Sequence, residues 1–342
     1  MSVKIARESI FVSSVRAFSS AFFALVGVVV AIAVIAMIFG SLSKPVGFRK
    51  MTDLVIEPDA DGSVQLQSPH APVILRIDIS GPIMPPKLTA HDIEVQLLDS
   101  RTGPLKGERI KGIFLCINTP GGTVTDSNTI YQLLMDYKER YKVPVYAYTN
   151  GLCASGGMYV SAAADKTFAS DISIVGSVGV IMGPSFNYST LLTRLGIESK
   201  TISEGKDKDM LSSFRPWKEG EDASLVNVAK YTYNHFVDLM VKNHPHLDRT
   251  KLIEEYGAQI YPAPEAADYG FIDDGNATYN SALKELVTAA EITEPYQVVR
   301  LKPRRQMLAE FIQAQGGIEK LRVLLGTPSV GETPLLYMYE TP

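Results

Sequence analysis

The run Ile113-Phe114-Leu115-Cys116-Ile117 is followed by Asn118-Thr119-Pro120-Gly121-Gly122. Next come Ile130, Leu133, Leu134, Tyr137 and Tyr141 at helical spacing. A short apolar run rich in β-branched and aromatic residues suits a buried strand, and apolar recurrence every three to four residues suits a helix with one face on a sheet. The glycines between them mark the turn, and Asp126 or Ser127 is available as the helix N-cap. The same alternation continues outward from this unit. Strands are expected over 73–79, 143–148, 166–168, 174–181 and 197–202, and a longer helix over 223–242 carries Leu225, Ala229, Phe236 and Leu239 on one stripe. The domain is α/β.

The whole chain has 342 residues, 46% hydrophobic and 20% charged, so it can bury a core and is not a disordered sequence. Lys and Arg number 33 against 37 Asp and Glu, which leaves no global positive excess to drive nucleic-acid binding. Cys116 and Cys153 are too few for a disulfide scaffold and lack zinc-ligand spacing. Residues 17–43 carry no charge at all, a run long enough to cross a bilayer. We expect a retained transmembrane helix there, after a short N-terminal segment (1–16). The charges flanking it, Lys4, Arg7 and Arg16 before and Lys44, Arg49 and Lys50 after, do not set its orientation. Residues 44–70 are polar, contain Pro58 and Gly62, and read as a linker or an edge hairpin. The compact domain is expected over 71–290, followed by a C-terminal extension and tail over 291–342.

Chemistry is sought where strands end in glycine turns, because backbone amides there reach a ligand unobstructed. Three such places stand out: the turn ending in Gly122, Ala154-Ser155-Gly156-Gly157, and Gly176-Ser177-Val178-Gly179. Each taken alone is an ordinary turn or cap. Ser155 would open a helix, with its hydroxyl near the positive end and the Gly156 amide placed to bind developing negative charge. Cys153 stands where a hydrolase elbow would have glycine. None of His70, His91, His235, His244 and His246 sits beside a glycine turn, so no histidine base is evident. His244 and His246, with Asp248 nearby, read as a solvated helix end rather than a metal site. A lysine can serve instead, since desolvation disfavours an ammonium ion and leaves an amine able to take a serine proton. Gly205-Lys206-Asp207-Lys208-Asp209 offers two candidates in what composition alone would make a solvated loop.

Taken in order, these motifs resemble the signal peptide peptidase A family of membrane-anchored Ser/Lys peptidases. The resemblance runs from the anchor through Asn118-Thr119-Pro120-Gly121-Gly122 and Ala154-Ser155-Gly156-Gly157-Met158-Tyr159. It continues through Gly176-Ser177-Val178-Gly179-Val180 and Gly205-Lys206-Asp207-Lys208-Asp209 to Phe214-Arg215-Pro216. Ala266-Ala267-Asp268-Tyr269-Gly270 and the tail Pro334-Leu335-Leu336-Tyr337-Met338-Tyr339 are similar to the family's closing segments. The sequence departs from the pattern at Ser212-Ser213, where the family more often has Ser-Pro.

The resemblance implies a ClpP/crotonase-like α/β superhelical fold with an N-terminal transmembrane helix, and a serine endopeptidase that needs no cofactor and no metal. It implies Ser155 as nucleophile, Lys208 as general base in preference to Lys206, Gly122 and Gly156 as oxyanion donors, and Ser177 as the residue orienting the lysine. One Ser155 motif and one Lys208 motif mark the short form, in which adjacent protomers of a homo-oligomeric ring share each site. The implied substrates are peptides, remnant signal peptides above all, and the implied location is a bacterial-type inner (cytoplasmic) membrane with the catalytic domain on the extracytoplasmic side. A coenzyme A-dependent crotonase enzyme and a noncatalytic membrane scaffold are the competing readings; the anchor and the Ser155/Lys208 pair argue against the first. The apolar tail residues Leu335 to Tyr339 need cover, either an interface with a neighbouring subunit or a substrate groove.

Overall fold

The computed structural model describes residues 10–42, 52–303 and 336–338. Lys4, Arg7, Lys44, Arg49 and Lys50 beside the apolar run, and Pro334, Leu335 and Tyr339 of the tail, lie outside the described residues. The chain divides into two compact units, 1–50 and 51–342. The first contains helix α1 (Ile10–Leu42), which starts before residue 17 because no Gly or Pro between 10 and 16 interrupts it. Its window Ser14–Ile32 has a mean hydropathy of 2.1, long and apolar enough to cross a membrane.

The second unit contains, in order, β1 (Thr52–Glu57), β2 (Val73–Ser80), α2 (Ala90–Asp99), β3 (Ile110–Thr119), β4 (Gly121–Thr123) and α3 (Val124–Tyr141). β5 (Val145–Ala154), α4 (Gly156–Ser161), β6 (Lys166–Ala169), β7 (Ile174–Gly176), α5 (Ser189–Arg194) and α6 (Ala223–Asn243) follow. The remainder is α7 (Arg249–Lys251), β8 (Ile260–Pro262), α8 (Ala263–Asp268), α9 (Tyr279–Ala289), β9 (Gln297–Pro303) and β10 (Leu336–Met338). The main sheet has the order β1-β9-β2-β3-β5-β7-β8, with β6 also paired to β5. Its interior ladders from β9 to β7 are parallel, and both outer pairs, β1 with β9 and β7 with β8, are antiparallel.

Strand alternation sorts the apolar residues to two faces. Val73, Leu75, Ile77 and Ile79 meet Ile130 and Leu134 of α3 and Phe236 of α6 in the larger core. Ile74, Phe114, Tyr146 and Tyr148 meet Leu283 and Leu286 of α9 in the smaller one. Arg76 and Asp78 follow Ile74 at two-residue steps and close an ion network with Glu57 and Arg300. The α/β class and the N-terminal apolar helix expected from the sequence are both present among the described residues.

Several local expectations differ from the structure. β1 lies inside the polar 44–70 stretch and is the edge strand of the sheet, while β9, inside 291–342, lies between β1 and β2. Both borders of the 71–290 stretch therefore cut through the sheet, because strand pairing joins segments far apart in sequence. Residues 197–202 form no strand: Ile197 and Ile202 are exposed, and no ladder partner exists for them among the described residues. The strand expected over 174–181 stops at Gly176, where positive φ values at Gly176 and Ser177 turn the backbone out of the ladder. α3 begins at Val124, capped by Thr123 Oγ1 accepting from the Asp126 amide, ahead of both Asp126 and Ser127.

His244 is not solvated. It is buried at the end of α6, its Nε2 has no hydrogen-bond partner among the described residues, and burial pushes its imidazole down to about 4 despite nearby Asp273. His244, His246 and Asp248 hold no metal cluster among the described residues.

Candidate active site

The parallel strands β3, β5 and β7 end at one edge, and the three glycine turns gather there. β5 runs out at Ala154 and α4 starts at Gly156, so Ser155 is the joint between them, as a helix-opening residue should be. Its backbone has φ 54° and ψ −114°, a conformation that L-residues rarely adopt. Such strain persists only where surrounding contacts over-determine it, and it concentrates at functional sites. Here the contacts are explicit. The Ser155 amide donates to the Gly176 carbonyl at 2.9 Å, its own carbonyl accepts from the Tyr159 amide at 3.0 Å, and the residue is 1% exposed. Strand–turn–helix geometry has produced a sharply bent joint at Ser155 with Cys153 in place of the first glycine of a hydrolase elbow.

Gly122 and Gly156 are forced to be glycine by their neighbours. A Cβ on Gly122 would fall onto the Ile83 carbonyl, and one on Gly156 would lie 3.1 Å from the Gly122 amide nitrogen and 2.5 Å from Ser127 Oγ. The two glycine backbones are therefore in close approach beside Ser155. The turn carrying Gly122 is held by Thr119, whose Oγ1 donates to the Gly81 carbonyl and accepts from the Gly121 amide. Ile83 braces the same turn from the other side: its amide donates to the Gly121 carbonyl and its carbonyl accepts from the Thr123 amide. Asn118 Oδ1 accepts from the Leu152 amide and fixes the end of β5. Pairs of backbone amides held this way can bind an oxyanion.

Ser177 follows the Gly176 carbonyl that holds the Ser155 amide; it is buried, with φ 57°, and its amide donates to the Gln259 carbonyl. The structure thus brings Gly122, Ser155, Gly156 and Ser177 to one place. It does not bring Lys208 there: no hydrogen bond joins Lys208 to Ser155 within the chain, and Lys208 is exposed. Lys206 is exposed as well. Both belong to an irregular arm over 181–221 that presents Phe186, Tyr188, Leu191, Ile202, Phe214 and Trp217 outward. The arm thus carries a concentration of exposed apolar side chains.

Two groups at this edge escaped the sequence reading. Ser127 looked like a helix cap, yet its Oγ is buried behind Gly156 without a hydrogen-bond partner among the described residues. The other is β10, which pairs antiparallel with β4 so that Tyr337 stands opposite Gly122 and Met338 opposite Gly121. The described part of the tail, Leu336–Met338, is thus in contact with the glycine strand of its own chain.

Comparison with known proteins places this geometry in context. Residues 138–293 match Peptidase family S49, a segment that includes Ser155, Ser177 and Lys208 but not Gly122. A Methanocaldococcus jannaschii protein provisionally named a protease is 37% identical over 190 residues, 56% of this chain and 60% of that protein. An Enterococcus faecium protein provisionally named signal peptide peptidase SppA is 33% identical over 164 residues, covering 48% of this chain and 47% of the relative. The chloroplastic serine protease SPPA of Arabidopsis thaliana is 26% identical over 231 residues, covering 64% of this chain and 33% of that protein. The matches thus span about half the length of the first two relatives. Among solved structures, a ClpP1 variant from Listeria monocytogenes has a TM-score of 0.40 at 18% identity, covering 61% of this chain and 94% of that one.

Proposed function

Since the chain is related to peptidase family S49, as its resemblance to the signal peptide peptidase A family implied, we propose that it is a membrane-anchored serine endopeptidase with a Ser155/Lys208 dyad shared between neighbouring protomers. The observation that carries this reading is the strained, buried Ser155 beside two convergent glycines. A serine in that setting is built for attack, and among the described residues no lysine or histidine is hydrogen-bonded to it.

The chemistry is acyl transfer. Uncharged Lys208 of a neighbouring copy takes the proton from Ser155 Oγ, and the oxygen attacks a peptide carbonyl. The amides of Gly122 and Gly156 receive the negative charge on the carbonyl oxygen. Lys208 returns the proton to the leaving amine, an acyl-enzyme remains on Ser155, and Lys208 then activates the water that releases it. Ser177 orients the lysine. The outward apolar face of the 181–221 arm supports a neighbouring copy as the partner, because covering that face would bring Lys208 out of water, where an amine is easier to keep uncharged.

The substrate reading follows from the edge of β4. A strand that pairs with the tail segment Leu336–Met338 is open to an extended peptide in the same manner. Helix α1 would hold the second unit at a bilayer, within reach of apolar peptides such as remnant signal peptides. We assign the catalytic unit to the extracytoplasmic side of a bacterial-type inner membrane and the assembly to a homo-oligomeric ring. The test is hydrolysis of an apolar signal-peptide sequence by the detergent-solubilised chain. Cleavage that disappears in Ser155→Ala and in Lys208→Ala is expected; cleavage that survives Ser155→Ala refutes the assignment.

A further inference from the structure

The loop that carries Lys208 is gripped from behind by one side chain. Arg215 uses its whole guanidinium. Nε donates to Asp209 Oδ2 at 2.7 Å, one terminal nitrogen donates to the Asp209 carbonyl at 2.7 Å and to Glu221 Oε2 at 2.6 Å, and the other donates to the Pro216 carbonyl at 2.9 Å and Glu221 Oε1 at 3.2 Å. A guanidinium has five N–H donors, and these five bonds account for all of them. Glu221 is 4% exposed and also accepts from the Leu211 amide, so the clamp spans both ends of the turn after Lys208.

The backbone between those ends is strained and otherwise lightly held. Asp207 and Leu211, on either side of Lys208, have φ values of 54° and 53°, in the left-handed region that non-glycine residues avoid. Three successive tight turns connect them, with amides of Lys208, Met210 and Ser212 donating to carbonyls of Gly205, Asp207 and Asp209. No strand or long helix lies in this stretch, so its shape depends on the ion network. Asp209 is turned into the clamp while its neighbour Lys208 is turned outward.

We infer that Arg215, seated between Asp209 and Glu221, is the positioning residue of the general-base loop, holding Lys208 in the one backbone geometry that presents its amine to the neighbouring Ser155. This rests on the reading of Lys208 as the base. It also sets Lys208 apart from Lys206: Lys208 is chain neighbour to the clamped Asp209, whereas Lys206 lies on the far side of the left-handed Asp207. Arg215 draws both carboxylates below their ordinary range, through direct hydrogen bonds and charge attraction, so the clamp stays ionised into acid solution.

The test measures peptide cleavage by the full chain in detergent, with Arg215→Ala, Arg215→Lys and Glu221→Gln beside Lys208→Ala. If Arg215 positions the base, Arg215→Ala lowers kcat about 10- to 100-fold, part of the roughly 10²–10⁴-fold contribution of a placed base, with KM within about twofold. Arg215→Lys stays low because an ammonium lacks the planar fork, and Glu221→Gln falls between. The Arg215 side chain is 22% exposed, so guanidinium ion at millimolar concentration reaches the empty seat. It should restore part of the activity of Arg215→Ala and none of that of Lys208→Ala. Wild-type kcat in Arg215→Ala, a loss carried in KM, or a loss that guanidinium leaves untouched overturns the inference. Full activity in Lys208→Ala would instead refute the assignment of the base.

Discussion

Ser155 stands where three parallel strands end, 1% exposed and fixed through its own backbone, whereas Lys208 stands in an arm of turns whose apolar side chains face outward. The first region owes its geometry to the core: the ladder between β5 and β7 continues into the amide bond from Ser155 to Gly176, so moving the serine means disturbing the sheet. The second owes its geometry to one ion network, Asp209–Arg215–Glu221, on a segment with little core of its own. The strained backbone of Ser155 is kept by the close packing around it. A base that serves another molecule must be accessible before assembly and desolvated after it. The contrast is what the proposed division of one site between two copies would require.

The largest expected effect removes either half. Ser155→Ala and Lys208→Ala should each lower kcat by about 10³-fold or more, because members of a catalytic unit fail together, while Lys206→Ala stays within about twofold of wild type. Equal losses at the two lysines, measured with a fluorogenic peptide, would erase the distinction between them.

Next comes the packing behind the nucleophile. Gly156→Ala puts a methyl group against Ser127 Oγ and should displace an oxyanion amide, costing about 10²-fold in kcat. Adding Ser127→Ala frees that space and should return part of the loss. A double variant no better than Gly156→Ala would show that Ser127 is not what limits the site.

A smaller effect concerns stability and lies outside both regions. His244 is buried uncharged, with its imidazole pushed down to about 4 from 6.5. Its depressed value means that acid favours the unfolded chain: stability is complete above about pH 6.5 and is lost as pH falls toward 4. Between pH 7 and pH 5 the wild type should lose about 2 kcal/mol that His244→Gln does not lose, read from denaturant midpoints. Parallel curves for the two proteins would contradict the burial of that ring.

The smallest effect tests the strand opposite Gly122. Removing 334–342 should leave the oligomer intact and speed cleavage of short peptides by a few fold, since β10 then no longer pairs with β4. Loss of the oligomer would make the tail an interface element instead.

How much of this was legible depends on which physics shaped each part. The strand–turn–helix at Ile113 to Tyr141, the helix-opening Ser155 and α6 are local patterns in which alternation, glycine and helical spacing agree, and all can be read from the sequence. β9 was missed as a member of the sheet and β1 was legible only as a linker or an edge hairpin because their partners lie far away in sequence, and the isoleucines at 197 and 202 suggested a strand where no ladder partner exists among the described residues. His244 looked solvated beside polar neighbours, since burial is a tertiary fact. In the candidate site, the glycine turns pointed to the positions of Gly122, Gly156 and Ser177 that the fold brings together, but nothing local set Lys208 above Lys206; only family resemblance did. Ser127 and the Arg215 clamp were invisible because the contacts that define them, with Gly156 and with Glu221, exist only after folding.

The proposal of a shared site is tested most directly by mixing the two variants expected to be inactive. Ser155→Ala chains and Lys208→Ala chains, unfolded together in denaturing detergent and reassembled at equal ratio, form some interfaces that join an intact serine to an intact lysine. Random pairing in a cyclic assembly makes that about a quarter of all interfaces, so about a quarter of wild-type activity should return on mixing. Activity no higher than that of either variant alone, in oligomers shown to contain both chains, would place Ser155 and Lys208 of each site in one protomer and contradict the account.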